Sequence, residues 1–106
     1  MNKRYASEFI GTFALVFFGC GAVTVDQLSG GALGLIGIAT VFGLVVMTMV
    51  YTYGHVSGAH INPAVTIALA FSNRIDRKEV LPYVGAQVAG AIVASVIDLT
   101  VLRPLF

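Results

Sequence analysis

An all-α membrane protein, with three spanning helices and one re-entrant half-helix, is the fold class this sequence predicts. Three observations lead there. Hydrophobic residues make up 58% of the 106 positions and charged residues only 10%, with a mean hydropathy of +0.92, whereas soluble domains carry about 25% charged residues. Three uncharged runs approach or exceed the roughly 20 helical residues that cross a bilayer core. Between the second and third lies Gly54-His55-Val56-Ser57-Gly58-Ala59-His60-Ile61-Asn62-Pro63-Ala64-Val65-Thr66, a loop composition flanked by lipid-soluble neighbours.

The first span is expected over residues 5–25. Lys3 and Arg4 precede an uncharged run from Phe9 to Val25, and Tyr5 to Ser7 supply an interfacial turn. Cys20 is the single cysteine, so no internal disulfide or cysteine-based metal site is available. Between Gly19 and Gly21 it reads as a small buried side chain. Asp26 to Gly31 form a polar connection, and residues 32–53 make the second span.

The next apolar piece, Pro63 to Phe71, covers only about 13 Å as a helix and cannot cross. The polar stretch Ser72 to Glu79 follows it, and residues 80–102 make the third span, with Pro82 in its first turn, where a missing N–H matters little. Ala86, Gly90 and Ala94 recur every four residues and give one smooth face for close helix contact. Residues 1–106 therefore read as a single unit whose re-entrant loop and half-helix occupy about 54–71.

Basic residues orient it. Lys3, Arg4, Arg74, Arg77 and Lys78 fall on one side and only Arg103 on the other. The N-terminus and the Arg74–Lys78 loop are thereby assigned to the cytoplasm, in an inner or plasma membrane. The second and third spans meet that same side, so the short helix enters there and turns back. The formal net charge of +1 carries no signature of a nucleic-acid partner.

Irregular backbone at membrane depth survives only where it is buried in protein or lines a wet cavity. Gly54 and Gly58 allow dihedrals closed to other residues. Carbonyls of an extended Gly58-Ala59-His60-Ile61 have no helical partners and would form a line of acceptors if they faced a channel. Asn62-Pro63 reads as a helix start, Asn as N-cap and Pro at the first position. The Asn62 side-chain oxygen would accept from Val65 N–H or its neighbour, leaving the NH2 group as an oriented donor. The positive end of the half-helix dipole lies at the same place. A donor and a positive field beside a row of acceptors suit a neutral hydrogen-bonding solute and repel cations.

The pattern Ser57 to Thr66, S-G-x-H-x-N-P-A-V-T, resembles the first signature loop of the aquaporin and glycerol-facilitator (major intrinsic protein) family. Ser7-Glu8-Phe9-Ile10-Gly11-Thr12-Phe13 resembles that family's first helix, and Pro82 to Gly90, with Gln87, its third. The resemblance implies a fold of two inverted repeats whose half-helices meet at the midplane. This chain resembles the N-terminal repeat of a bacterial or archaeal water channel. Implied with it are a passive channel for water, or for small neutral solutes such as glycerol, a homotetrameric assembly, and no cofactor.

The implied pore residues are Asn62, Pro63, Ala64, Gly58, Ala59, His60, Ile61 and Phe42, with Glu8 and Gln87 as supports. Asn62 is the pore donor. Pro63 and Ala64 bring the two half-helices together. His60 braces the loop while its carbonyl faces the path. A metal-ligand role with His55 fails on a five-residue spacing and the lack of a nearby carboxylate. Most phenylalanines in such a span face lipid, but Phe42 aligns with the family's aromatic position at the outer constriction. Phe there is typical of the water-selective branch. The loop Val56 to His60 is shared with glycerol facilitators, and His55 tilts the reading back towards water.

Glu8 opens a span and reads either as an interfacial carboxylate or, by resemblance, as a buried one accepting from the loop. Asp98, near the outer end of the third span, departs from the family's usual apolar residue and is expected to be partly exposed. An enzyme is the rival class. Ser57, His60 and Asp98 are the residue types of a hydrolase triad, but no nucleophile-elbow pattern surrounds Ser57 and Asp98 belongs at the opposite face. A non-conducting half-channel, acting only as a structural or interaction partner, is the other alternative. The five-to-one bias of basic residues predicts one orientation for every copy, so a full pore would need a complementary second half. No arginine follows the Asn-Pro-Ala, since Val65 stands there, and solute filtering by this half alone is expected to be poor.

Overall fold

The computed structural model describes residues 2–105, and among them every regular element is a helix. Helix α1 runs Lys3–Leu28, α2 Gly34–Ser57, α3 Pro63–Phe71 and α4 Val80–Leu102. Three helical segments are long and apolar enough to cross a membrane: α1, α2, and α4 with the short 3-10 turn Arg77–Glu79 ahead of it. Their outward surfaces are greasy, with Leu35, Ile36 and Leu81 each more than four-fifths exposed. That is the inverse of a soluble helix and suits lipid contact.

Helix α1 begins at Asn2, whose side chain accepts from Arg4 N–H at 2.8 Å. Its buried positions are Ser7, Glu8, Gly11, Thr12, Ala14, Gly19, Gly21 and Ala22. All but Glu8 are small, so neighbouring helices come close. Residues Leu15–Cys20 form a π-helical segment. Gly19 there receives the Phe42 ring, two of whose atoms would stand 2.7 and 2.8 Å from any Cβ at that position. Gly21 faces Asp98 in the same way, at 3.3 Å. With those two glycines turned inward, Cys20 between them points out and is exposed, contrary to the burial expected from its apolar surroundings.

At the far end of α1, the Asp26 carboxylate accepts from Leu33 N–H at 3.0 Å and Gly34 N–H at 2.7 Å. It thereby satisfies two of the four orphan donors that open α2. Gly30 and Gly31, at φ 76° and 98°, make the reversal. Helix α2 continues through Gly54 to Ser57, one turn beyond the boundary read from sequence. Gly54 stays helical and its carbonyl accepts from Gly58 N–H at 3.0 Å. Only Gly58, at φ 87°, takes the left-handed conformation that ends the helix.

Helix α3 ends in a paired cap. Arg74 N–H reaches Leu69 O at 2.8 Å and Asn73 N–H reaches Ala70 O at 3.2 Å, with Asn73 left-handed at φ 59°. Asp76 then caps the turn into α4 by accepting from Lys78 N–H at 3.2 Å. The buried face of α4 is Tyr83, Gln87, Gly90 and Ala94. Ala86 is only half-buried, so the contact stripe sits one residue round from the expected one. Gly90 lies on the backbone of Phe9 and Phe13, making α1 and α4 the closest pair in the bundle.

Candidate functional site

The chain between α2 and α3 is built from conformations that side chains resist. Gly58, Ala59 and Ile61 have φ of 87°, 47° and 44°. A β-branched residue at positive φ is a real outlier, and each such residue costs on the order of 1–3 kcal/mol. Something must hold it. The restraint is Glu8, which has no solvent exposure. Its Oε2 accepts from Ser57 Oγ at 2.6 Å and His60 N–H at 3.1 Å. Its Oε1 accepts from Ile61 N–H at 2.8 Å and Gln87 Nε2 at 2.7 Å. Three of those four donors are nitrogens that can only donate, so the carboxyl group serves as acceptor at both oxygens. Gly11, one turn on, makes room for the Ile61 side chain that packs against it.

With the His60 and Ile61 amides turned toward Glu8 on α1, the loop leaves the other side of its backbone free. Among the described residues, no hydrogen bond ends on the carbonyls of Gly58, Ala59, His60 or Ile61. The row stops at Asn62, extended at φ −161°, whose Oδ1 accepts from Ala64 N–H at 2.8 Å. Its backbone carbonyl takes Thr66 N–H at 3.1 Å. The Asn62 NH2 group carries no protein partner among the described residues, and the residue is exposed. Pro63 is half-buried and Ala64 exposed, so the tip of α3 is open on the same side.

Gln87 sits fully buried behind the loop and bridges Glu8 to Thr66, with Nε2 3.0 Å from Thr66 Oγ1. Thr66 in turn lies 2.9 Å from His60 Nδ1, which fixes the imidazole between α3 and the Tyr83 ring, 4.9 Å away by centroid. His55 is exposed on the last turn of α2 and has no part in this cluster. Phe42 is also separate. Its ring rests on Gly19, eleven residues beyond Glu8 along α1, about 16 Å at 1.5 Å per residue. Asp98 is half-buried against Gly21 near the same end. Ser57 commits its hydroxyl to Glu8, so Ser57, His60 and Asp98 do not converge.

Sequence reasoning missed two members of the site. Tyr83 is fully buried, and its hydroxyl donates to Ser57 O at 2.8 Å. Arg4 Nε donates to that same hydroxyl at 3.2 Å. The available signal was Tyr83 four residues before Gln87, two polar side chains on one face of an apolar helix. Chemically the site offers a line of acceptors, one oriented donor and the positive end of a helix. No activated nucleophile is assembled within it.

The chain matches the Major intrinsic protein family over residues 1–104. It is 53% identical to Aquaporin Z of Bradyrhizobium diazoefficiens over 94 residues, covering 88% of this chain and 39% of that protein. It is 53% identical over 97 residues to Aquaporin NIP1-2 of Oryza sativa subsp. japonica, covering 90% and 32%. Aquaporin Z of Rhodopseudomonas palustris is 48% identical over 95 residues, covering 89% and 40%. The chain thus spans well under half the length of these relatives. With three helices long and apolar enough to cross a membrane and this match along nearly its whole length, the chain is an integral membrane protein and belongs to the major intrinsic protein family.

Proposed function

We propose that this chain forms one half of a passive channel for water, open to small neutral solutes such as glycerol and closed to ions and protons. The observation that supports it most directly is the unpaired carbonyl row of Gly58 to Ile61 leading to the free NH2 of Asn62. Water is both donor and acceptor, so it exchanges one bond for the next along such a row at little energetic cost. A cation meets the positive end of α3 at Asn62. A proton would have to pass the same field. Phe42 acts further out, as an aromatic wall at the second narrow point. Pro63 and Ala64 form the tip that abuts a second half-helix. The complementary half, of opposite topology, completes the wall, and complete pores assemble as tetramers. The reading is of a conduit and not of an enzyme.

Stopped-flow shrinkage of liposomes tests this. Vesicles holding the chain together with a complementary second repeat should show raised water permeability without proton leak. Asn62→Ala should then lower that permeability by roughly fivefold to tenfold, the effect of losing one hydrogen bond of about 1 kcal/mol or slightly more. The lost cap should also cost α3 about 1 kcal/mol. Unchanged water flux in Asn62→Ala would sink the donor role.

A second reading, a half-channel that does not conduct, is favoured by the open side of the loop, where Asn62, Ala64 and Val65 are all exposed. Vesicles with the chain alone decide between the two. Orientation is tested separately. With Cys20 replaced by Ser and a single cysteine placed at Asn73, an impermeant reagent should label sealed vesicles from the cytoplasmic side only. Equal labelling from both sides would mean dual insertion, and an antiparallel pair of copies would become the working pore.

A further inference from the structure

We infer that Tyr83 and Arg4 are positioning residues for the carbonyl row, acting through a one-way hydrogen-bond chain that starts at an ion pair on the rim of the bundle. Arg4 Nη1 lies 3.5 Å from Glu79 Oε1, and Tyr5 donates to Glu79 Oε2 at 2.6 Å. The Arg4 Nε–H can only donate, so its 3.2 Å contact leaves the Tyr83 hydroxyl hydrogen free to point elsewhere. It points to Ser57 O at 2.8 Å. Each bond polarises the next in the same direction.

Ser57 is where this matters. Its carbonyl is the last of α2 and belongs to the peptide bond leading into Gly58, the first left-handed residue. Its hydroxyl is held by Glu8 and itself accepts from Ala59 N–H at 3.1 Å. With Tyr83 occupying the carbonyl, that peptide plane is held from both sides, and Ser57 O is withdrawn from the solute path. The row therefore begins at Gly58. Tyr83 also lies under the His60 ring, so the same residue sets the start of the row and backs its third member. Arg4 fixes which way the hydroxyl points.

The significance for conduction rests on the channel reading, but the positioning itself is measurable without it. Tyr83→Phe keeps the ring, its burial and its contact with His60, and removes only the two hydrogen bonds. In the 106-residue chain reconstituted in lipid nanodiscs, amide exchange at Ala59, His60 and Ile61 should rise about fivefold or more, as expected for the loss of a hydrogen bond that holds the closed form. Exchange in the α1–α4 contact around Phe13 and Gly90 should not change. Arg4→Gln, at a partly exposed position, should raise the same loop amides by a smaller factor. Exchange that is unchanged in Tyr83→Phe, or raised equally throughout the bundle, overturns the inference. In an assembly that conducts, Tyr83→Phe should also change the ratio of water to glycerol permeability. An unchanged ratio would overturn the part of the inference that gives Tyr83 a say in which solute passes. Failure of the wild-type assembly to conduct would instead count against the channel reading and leave the exchange result standing.

Discussion

Glu8→Ala is expected to be the most damaging single substitution in this chain, destabilising it by at least about 4 kcal/mol. It orphans four donors at once: Ser57 Oγ, His60 N–H, Ile61 N–H and Gln87 Nε2. A buried donor left unsatisfied costs about 1–3 kcal/mol, and Glu8 itself is closed off from solvent by the packed bundle. The strained residues Ala59 and Ile61 would then relax toward ordinary dihedrals and the carbonyl row would lose its line. Glu8→Gln is more informative because it keeps the shape. A glutamine NH2 group in place of Oε2 would face His60 N–H, and in place of Oε1 it would face Ile61 N–H. Gln87 can turn its own unpartnered Oε1 toward the new amide, but the backbone donor cannot turn. One clash of donors survives in either orientation. Glu8→Gln should therefore cost about 1–3 kcal/mol, intermediate between wild type and Glu8→Ala. Reversible unfolding in mixed micelles checks the order. Equal stability of Glu8→Gln and wild type would mean that the loop amides are not held as described.

Gly90→Val should rank next. Unlike most tight glycines, Gly90 is opposed by main chain: a Cβ would overlap the Phe9 carbonyl oxygen and stand 3.1 Å from Phe13 N and 3.2 Å from Phe9 C. No rotamer change relieves a clash with backbone. The helices must part, and overpacking of this kind costs about 1–3 kcal/mol, occasionally more. The damage reaches the loop, because Gln87 sits one turn away on α4 and its 2.7 Å bond to Glu8 lengthens as α4 withdraws. Gly85→Ala is the control, since among the described residues no group from elsewhere in the bundle comes within 4 Å of a Cβ there. It should be neutral or slightly stabilising, as Ala is the better helix former. Thermal unfolding of the two variants in the same detergent should separate them clearly. Matching melting curves would show that α1 and α4 are not in close contact.

The helical class and the three long apolar helices were legible because hydropathy and the bilayer thickness leave few alternatives. The start of α3 was legible at Asn62-Pro63 for local reasons, since cap chemistry needs no tertiary partner. Helix α2 ended one turn later than read because two glycines, Gly54 and Gly58, offered a stop, and only the packed bundle chooses between them. The π-helical segment of α1 has no pattern of its own. It contains Gly19, onto which Phe42 fits, a contact that only the folded bundle shows. Glu8 drew attention as an ionisable residue opening an apolar span, but Gln87, and the partners of both, were visible only through a family resemblance. Tyr83 escaped notice because a tyrosine near a helix start reads as an interfacial anchor. Its burial comes from the packing of α4 beside α1 and the end of α2, which periodicity does not encode.

The separation of Glu8 from Gln87 along the chain has a consequence in time. The two ends of that hydrogen bond stand 79 positions apart along the chain, and a ribosome adding about 5–20 residues per second needs roughly 4–16 s to cover that distance. Helices α1 and α2 are made before α4, and the loop after Ser57 at first has neither Tyr83 nor Gln87 behind it. Its open amides and carbonyls are too costly to leave in hydrocarbon. On this order of synthesis the segment is expected to stay at an aqueous surface until α4 docks, so the loop is the last part of the bundle to acquire its shape.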